Sequence, residues 1–159
     1  MKKNKKIIIV IQARVNSSRL PNKVLLKLNG IPSIVRMTNR VKLSKLADEI
    51  WVATGKSKIN DKLEYVLDHS SIKVMRGDDL DVLSRYVDIA KNTKANIIVR
   101  LTGDCPLIDP EIIDKTIQLL IDKKVDYASN IIKRTYPDGL DVEVFTTKAL
   151  LESDKNSLS

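Results

Sequence analysis

Apolar and polar positions along this chain switch repeatedly between the period of a strand and the period of a helix. Lys6 to Gln12 is a β-branched run, long enough for a strand buried on both faces. Ala13 to Asn22 is polar, contains Pro21, and reads as a loop. Pro32 and Ser33 open a helical pattern that lasts to about Leu43. Glu49 to Ala53 reads as a second strand, Asn60 to His69 as a helix capped by Asn60, and Ile72 to Met75 as a third strand. Asp79 to Asn92 carries apolar residues at 82, 83, 86, 87 and 90, one face of a helix. Asn96 to Leu101 is a fourth strand. Asp109, Pro110 and Glu111 then start a helix to about Lys123, with Asp109 as its cap. Asp126 to Ser129 reads as a short strand, and Leu140 to Phe145 alternates strictly, as a half-buried strand should.

The order β-α-β-α-β-α-β-α-β predicts an α/β fold: a mostly parallel sheet covered by helices on both faces, a three-layer sandwich. In such sheets ligands bind outside the carboxyl ends of the strands. The loops to examine are therefore those after Gln12, Ala53, Met75 and Leu101.

Length and composition narrow the picture. A chain of 159 residues suits one domain. Only six residues are aromatic, so the core must be aliphatic. One cysteine, Cys105, excludes an internal disulfide framework and a multi-cysteine zinc site. The opening MKKNKKIIIVIQAR has too short an apolar run for a secretory signal, and no stretch is long enough to span a membrane. The expectation is a cytoplasmic protein with no membrane partner.

The net charge of +8 is uneven: residues 1 to 62 hold 15 Lys and Arg against three acidic residues, and the remainder holds 13 against 17. A basic first third suggests a polyanionic ligand, either nucleic acid or a compact polyphosphate. Scarce aromatic residues argue against nucleic acid. Residues 1 to 6 read as a solvated basic tail.

Three placed cations remain in the first loop. Arg14, Arg19 and Lys23, with Ser17 and Ser18 between them, follow a buried strand and suit phosphate. The loop lacks glycine, so it is neither a Walker A loop nor a dinucleotide fingerprint. After the fourth strand, Thr102-Gly103-Asp104 places a carboxylate at the same edge, where magnesium could use it together with substrate phosphates. Cys105 reads as a small packing residue, since no histidine lies near it in the sequence to serve as its base. His69 receives no role. In Arg76-Gly77-Asp78-Asp79-Leu80-Asp81 the aspartates could bind metal, but capping by Asp78 or Asp79 is favoured, and Arg76 could reach a ligand. Asp141 and Glu143 share a face after a Pro-Asp-Gly turn; they suit sugar hydroxyls, or the wet face of an edge strand.

The stretches IQARVNSSRLPNKVLLKLNGIP, RGDDLDVLSRY, IVRLTGDCPLIDPEIID and TYPDGLDVEVFTTKAL, in this order, resemble the cytidylyltransferases of spore-coat and surface polysaccharide biosynthesis, a family similar to the synthetases of CMP-activated sugar acids. The resemblance implies a Rossmann-like (GT-A-like) nucleotidyltransferase fold, CTP and a sugar-type acceptor as substrates, and Mg2+ as cofactor. By motif, Arg14, Arg19 and Lys23 would hold the triphosphate, with Arg19 and Lys23 the catalytic cations. Ala13, Ser17 and Arg76 would line the nucleotide, Asp104 would hold the metal, and Asp141 and Glu143 would face the acceptor. It also implies a further stretch beyond Ser159, with another acidic residue on a Thr-x-Asp-x-Pro-Glu-Asp-like segment and much of the subunit contact, which leaves a homodimer open. The chain is accordingly read as a C-terminally truncated single domain, residues 1 to 159, with a polar tail from 152. Two alternatives stay open: a non-catalytic nucleotide- or sugar-binding fragment, and a glycosyltransferase that uses a nucleotide sugar.

Overall fold

Ile7–Gln12 (β1) is apolar at nearly every position because it lies at the middle of the sheet. Its odd-numbered isoleucines enter one core cluster, while Ile8 and Val10 enter another on the opposite face. The structure, a computed structural model, describes residues 5–157. Glu49–Gly55 (β4), Lys73–Gly77 (β5) and Ile97–Thr102 (β6) run parallel to β1, Glu143–Thr146 (β8) pairs antiparallel with β6, and Tyr127–Ser129 (β7) closes that edge. The strand order is β5-β4-β1-β6-β8-β7. This is the expected α/β fold with a mainly parallel sheet.

Helices cover both faces. Ser33–Val41 (α1), Asp61–His69 (α2) and Pro110–Lys123 (α4) bury Ile34, Met37, Leu63, Leu67, Ile113 and Ile117 against Ile9 and Ile11. Val82–Thr93 (α3) and Thr147–Ser157 (α5) bury Tyr86, Ile89 and Leu150 against Ile8, Val10 and Ile98. The chain leaves β1 for β4 and β5 on one side, then returns to β6 on the other. The switch point therefore lies between β1 and β6, and their carboxyl-terminal loops flank one crevice.

Several local expectations change. A hairpin, Lys27–Leu28 (β2) with Ile31–Pro32 (β3), interrupts the first loop region; its two-residue turn is Asn29-Gly30, both at positive φ, 50° and 80°. The polar tail expected from residue 152 is the end of α5 as far as Ser157, held by the buried Leu150. Of the basic tail, residues 1–4 lie outside the described residues, and Lys6 is paired with Glu49 at 2.6 Å. Only Glu143 onward of Leu140–Phe145 is strand, and β7 covers it, so it is no edge.

Capping also differs. Asp109 accepts the Glu111 N–H at 2.8 Å, as expected. The cap of α3, however, is Asp81, which accepts the Ser84 N–H at 3.0 Å; Asp78 accepts from Leu80 and Asp81 in the turn before it, and Asp79 accepts from Ser57. Asn60 precedes α2, but its side chain makes no cap. Its amide turns inward instead.

Candidate functional site

The loop after β1 has no glycine, and its shape comes from both external anchors and its own hydrogen bonds. Ala13 N–H donates to Ala53 O at 3.0 Å, which prolongs the β1–β4 pairing by one bond. Val15 and Val24 are buried in the core, 5% and 2% exposed, and act as two pegs. Between them Ser17 N–H and Asn22 N–H both donate to Val15 O, and Asn22 adopts a left-handed φ of 58°. The exposed Arg14 and Arg19, with the half-buried Ser17 and Lys23, are thereby held on the outside of a pinned loop. Among the described residues neither Arg14 nor Arg19 has a carboxylate partner.

The loop after β6 closes on this one. Gly103 N–H donates to Gln12 O at 2.8 Å. A Cβ on Gly103 would lie 2.9 Å from Ala13 Cβ and 3.0 Å from Gln12 O, so only glycine permits the approach. The next residue, Asp104, meets Lys23: Lys23 Nζ donates to Asp104 Oδ2 at 2.5 Å. Gln12, Ala13, Arg14, Ser17, Arg19, Lys23 and Asp104 all line one cavity of about 250 Å³. Partial burial works to raise the Asp104 carboxyl, but hydrogen bonds from Lys23 and Thr102 outweigh it and hold it below its ordinary value. Asp104 is thus an anion, as a metal ligand must be.

Burial pushes the Cys105 thiol up, and the Asp104 and Asp141 charges add to this despite a contact with Thr102. A thiol held protonated is no nucleophile, in line with its expected packing role. Among the described residues no group of three or more His, Cys, Asp or Glu could hold a metal ion by itself. Asp104 still fits magnesium, a hard cation that accepts one carboxylate and completes its shell with phosphate oxygens and water.

The pair expected to face an acceptor, Asp141 and Glu143, divides. Glu143 is committed: Arg100 Nη1 donates to one oxygen and Tyr127 Oη to the other, the latter at 2.7 Å. Asp141 is less committed, with Arg134 Nη2 at 3.8 Å, and it lies close enough for its charge to act on Cys105 beside Asp104. Arg100 was not anticipated; a lone charge in a hydrophobic strand was the available signal. Tyr86, facing the same polar group, donates to Gln12 Oε1 at 3.4 Å and is pushed up to about 12, chiefly by burial.

Arg76 is not brought to the cavity. Its guanidinium donates to Gly55 O, Lys56 O and Ser57 O and pairs with Glu64 and Asp61, so its donors serve the loop after β4. No residue of the loops after β4 and β5 lines that cavity.

Residues 8–157 match the family model described as cytidylyltransferase. Over 154 residues the chain is 42% identical to an uncharacterized protein of Methanocaldococcus jannaschii, covering 96% of this chain and 61% of that one. It is 35% identical to the spore coat polysaccharide biosynthesis protein SpsF of Bacillus subtilis, covering 92% and 61%. Among solved structures, a cytidylyltransferase from Leptospira borgpetersenii superposes with a TM-score of 0.91 at 38% identity, covering 96% of this chain and 65% of that chain. A CMP:2-keto-3-deoxy-manno-octonic acid synthetase complexed with CTP superposes at 0.77 and 21% identity, over 94% and 78%, a likeness of fold. The chain spans about three-fifths of the length of the curated relatives it matches.

Proposed function

Given that the chain belongs to the cytidylyltransferase family, we propose that it binds CTP at the crevice between β1 and β6 and transfers CMP to a sugar or sugar-phosphate acceptor for surface polysaccharide biosynthesis. The observation that carries this reading is the single cavity in which Arg14, Ser17, Arg19 and Lys23 face Asp104. Four positions able to grip phosphate and one anion suited to magnesium meet at the switch point of the sheet. A triphosphate brings enough negative charge to need that many cations, whereas a nucleotide sugar brings less.

The chemistry asks little covalent help of the protein. An acceptor oxygen attacks the α-phosphorus of CTP; where that oxygen is a hydroxyl, its proton passes to water. The bond from that phosphorus to the bridging oxygen breaks, and pyrophosphate leaves with the electron pair. Arg14, Arg19 and Ser17 bind phosphate oxygens on a loop whose shape is set before substrate arrives. Lys23 exchanges its bond to Asp104 for phosphate oxygens, adding charge where the leaving group develops it. Asp104 would hold magnesium, which supplies charge neutralisation to the phosphates when bound. Asp141, on the same corner, faces the acceptor, and Glu143 fixes Arg100 and Tyr127 behind it.

The test is ligand binding followed by turnover. CTP with magnesium should raise the melting temperature, more than ATP, GTP or UTP do. Pyrophosphate should then appear when sugars and sugar phosphates are supplied in turn. If no nucleoside triphosphate shifts the melting temperature, the reading fails.

A further inference from the structure

Asn60 lies 45 residues from Val15 in sequence, yet its side chain is bonded to that residue's backbone. The amide is 1% exposed and both of its ends are used. Oδ1 accepts the Val15 N–H at 3.1 Å, and Nδ2 donates to Gly55 O at 3.3 Å. Gly55 is fixed from behind. Its carbonyl also accepts from Arg76 Nε at 3.1 Å, and a Cβ there would lie 2.0 Å from Asp79 Oδ1 and 3.2 Å from Asn60 Nδ2. A continuous path of contacts therefore runs from Arg76 on β5, through the loop after β4, to the loop that carries Arg14 and Ser17.

We propose that Asn60 is a positioning residue for phosphate binding, a latch that sets the Arg14–Lys23 loop, with Arg76 holding the latch from the far side. This rests on the nucleotide reading of that loop. An amide is the side chain this site demands, because it offers an acceptor at one end and a donor at the other. An aspartate would turn a second acceptor toward Gly55 O, and a leucine would leave Val15 N–H buried without a partner and Gly55 O with Arg76 alone. The bond falls between Arg14 and Ser17, the two residues whose relative placement matters most for gripping adjacent phosphate oxygens. The loop's own bonds to Val15 O shape it internally, and the Asn60 bond ties that turn to the rest of the fold. Fixing it beforehand lowers the ordering cost of binding.

The experiment compares Asn60→Ala, Arg76→Met and Leu67→Ala, the last a fully buried side chain of α2 that serves as a destabilised control. CTP–magnesium affinity is measured by calorimetry at a temperature where each protein is folded, and amide exchange at Val15 is measured by NMR without ligand. Asn60→Ala should raise the Kd about tenfold and speed exchange at Val15. Arg76→Met should raise the Kd about threefold or more. Leu67→Ala should lower Tm yet keep Kd within about twofold of wild type. Unchanged affinity in Asn60→Ala, or equal weakening in Leu67→Ala, overturns the latch. Should Asn60→Ala not fold, unchanged affinity in Arg76→Met overturns it. If the wild-type protein binds no triphosphate, the nucleotide reading falls by itself, and Val15 exchange then decides the latch: faster in Asn60→Ala upholds it, unchanged overturns it.

Discussion

Lys23 and Asp104 lie 81 residues apart in the sequence and stand 2.5 Å apart across the switch point of the sheet. The pair ties the loop after β1 to the loop after β6 and places a cation on the carboxylate that magnesium would use. On the proposed reading, metal and lysine would compete for one oxygen. Lys23→Met should tighten magnesium binding in the absence of nucleotide while lowering turnover about a hundredfold. Asp104→Asn should weaken metal-dependent CTP binding and lower turnover by a similar factor. Metal titrations with and without CTP distinguish the two; a Lys23→Met protein that binds bare metal more weakly contradicts the competition.

Arg14 and Arg19 are exposed and, among the described residues, without carboxylate partners, so their removal leaves no buried charge behind. Arg14→Ala and Arg19→Ala are predicted to keep the wild-type melting temperature and to lose about ten- to hundredfold in CTP affinity each. The loss for CMP should be smaller, because CMP lacks the two outer phosphates. Equal losses for CTP and CMP would place these arginines elsewhere than on the triphosphate.

Gly103 is where the two loops meet most closely. Gly103→Ala forces a methyl to within 2.9 Å of Ala13 Cβ, with backbone close behind. The expected cost is about 1–3 kcal/mol, read from denaturant unfolding. CTP affinity should fall in the same variant, because relief of the clash moves Asp104 away from the Arg14–Lys23 loop. A variant as stable as wild type counts against the close approach.

At the opposite end of the sheet, Glu49 provides a pH test. Hydrogen bonds from Lys6 and Lys73, at 2.6 and 2.7 Å, hold its carboxyl at about 2 rather than 4.5. A depressed folded value contributes stability that is fully present above 4.5 and is lost as pH falls through about 2. Wild type should therefore melt above Glu49→Gln at neutral pH, and the gap should narrow between pH 4.5 and 2. A gap that stays constant across that window excludes this contribution.

Much of this architecture is legible locally. The run Lys6–Gln12 announces a doubly buried strand because both faces must be apolar, and Asp109-Pro110-Glu111 announces a helix start because each residue has a reason to stand there. What escapes is the choice of partner. Asn60 reads as a cap because it precedes a helix, and nothing nearby says that Val15 will claim its amide. Arg76 follows a strand just as a ligand-binding arginine would, yet the carbonyls of Gly55 and Ser57 use it first. Glu143 reads as suited to sugar hydroxyls or a wet edge face, because Arg100 and Tyr127, its partners, are not its neighbours in sequence. Asn29-Gly30 marks the hairpin's turn, but two strands of two residues leave no period to count.

The central position of β1 has a consequence for how the chain folds. Its neighbours on the two sides begin at Glu49 and Ile97, so its pairing completes only after Thr102 has been synthesised. Until then Ile7–Ile11 is a strongly β-forming apolar segment with at least one unpaired edge. It must close two long loops to be covered, a slow step for a parallel sheet. During that interval the segment is the natural nucleus for intermolecular association and the natural binding site for a chaperone, and an expression host short of chaperone capacity should accumulate this protein in aggregates first through β1.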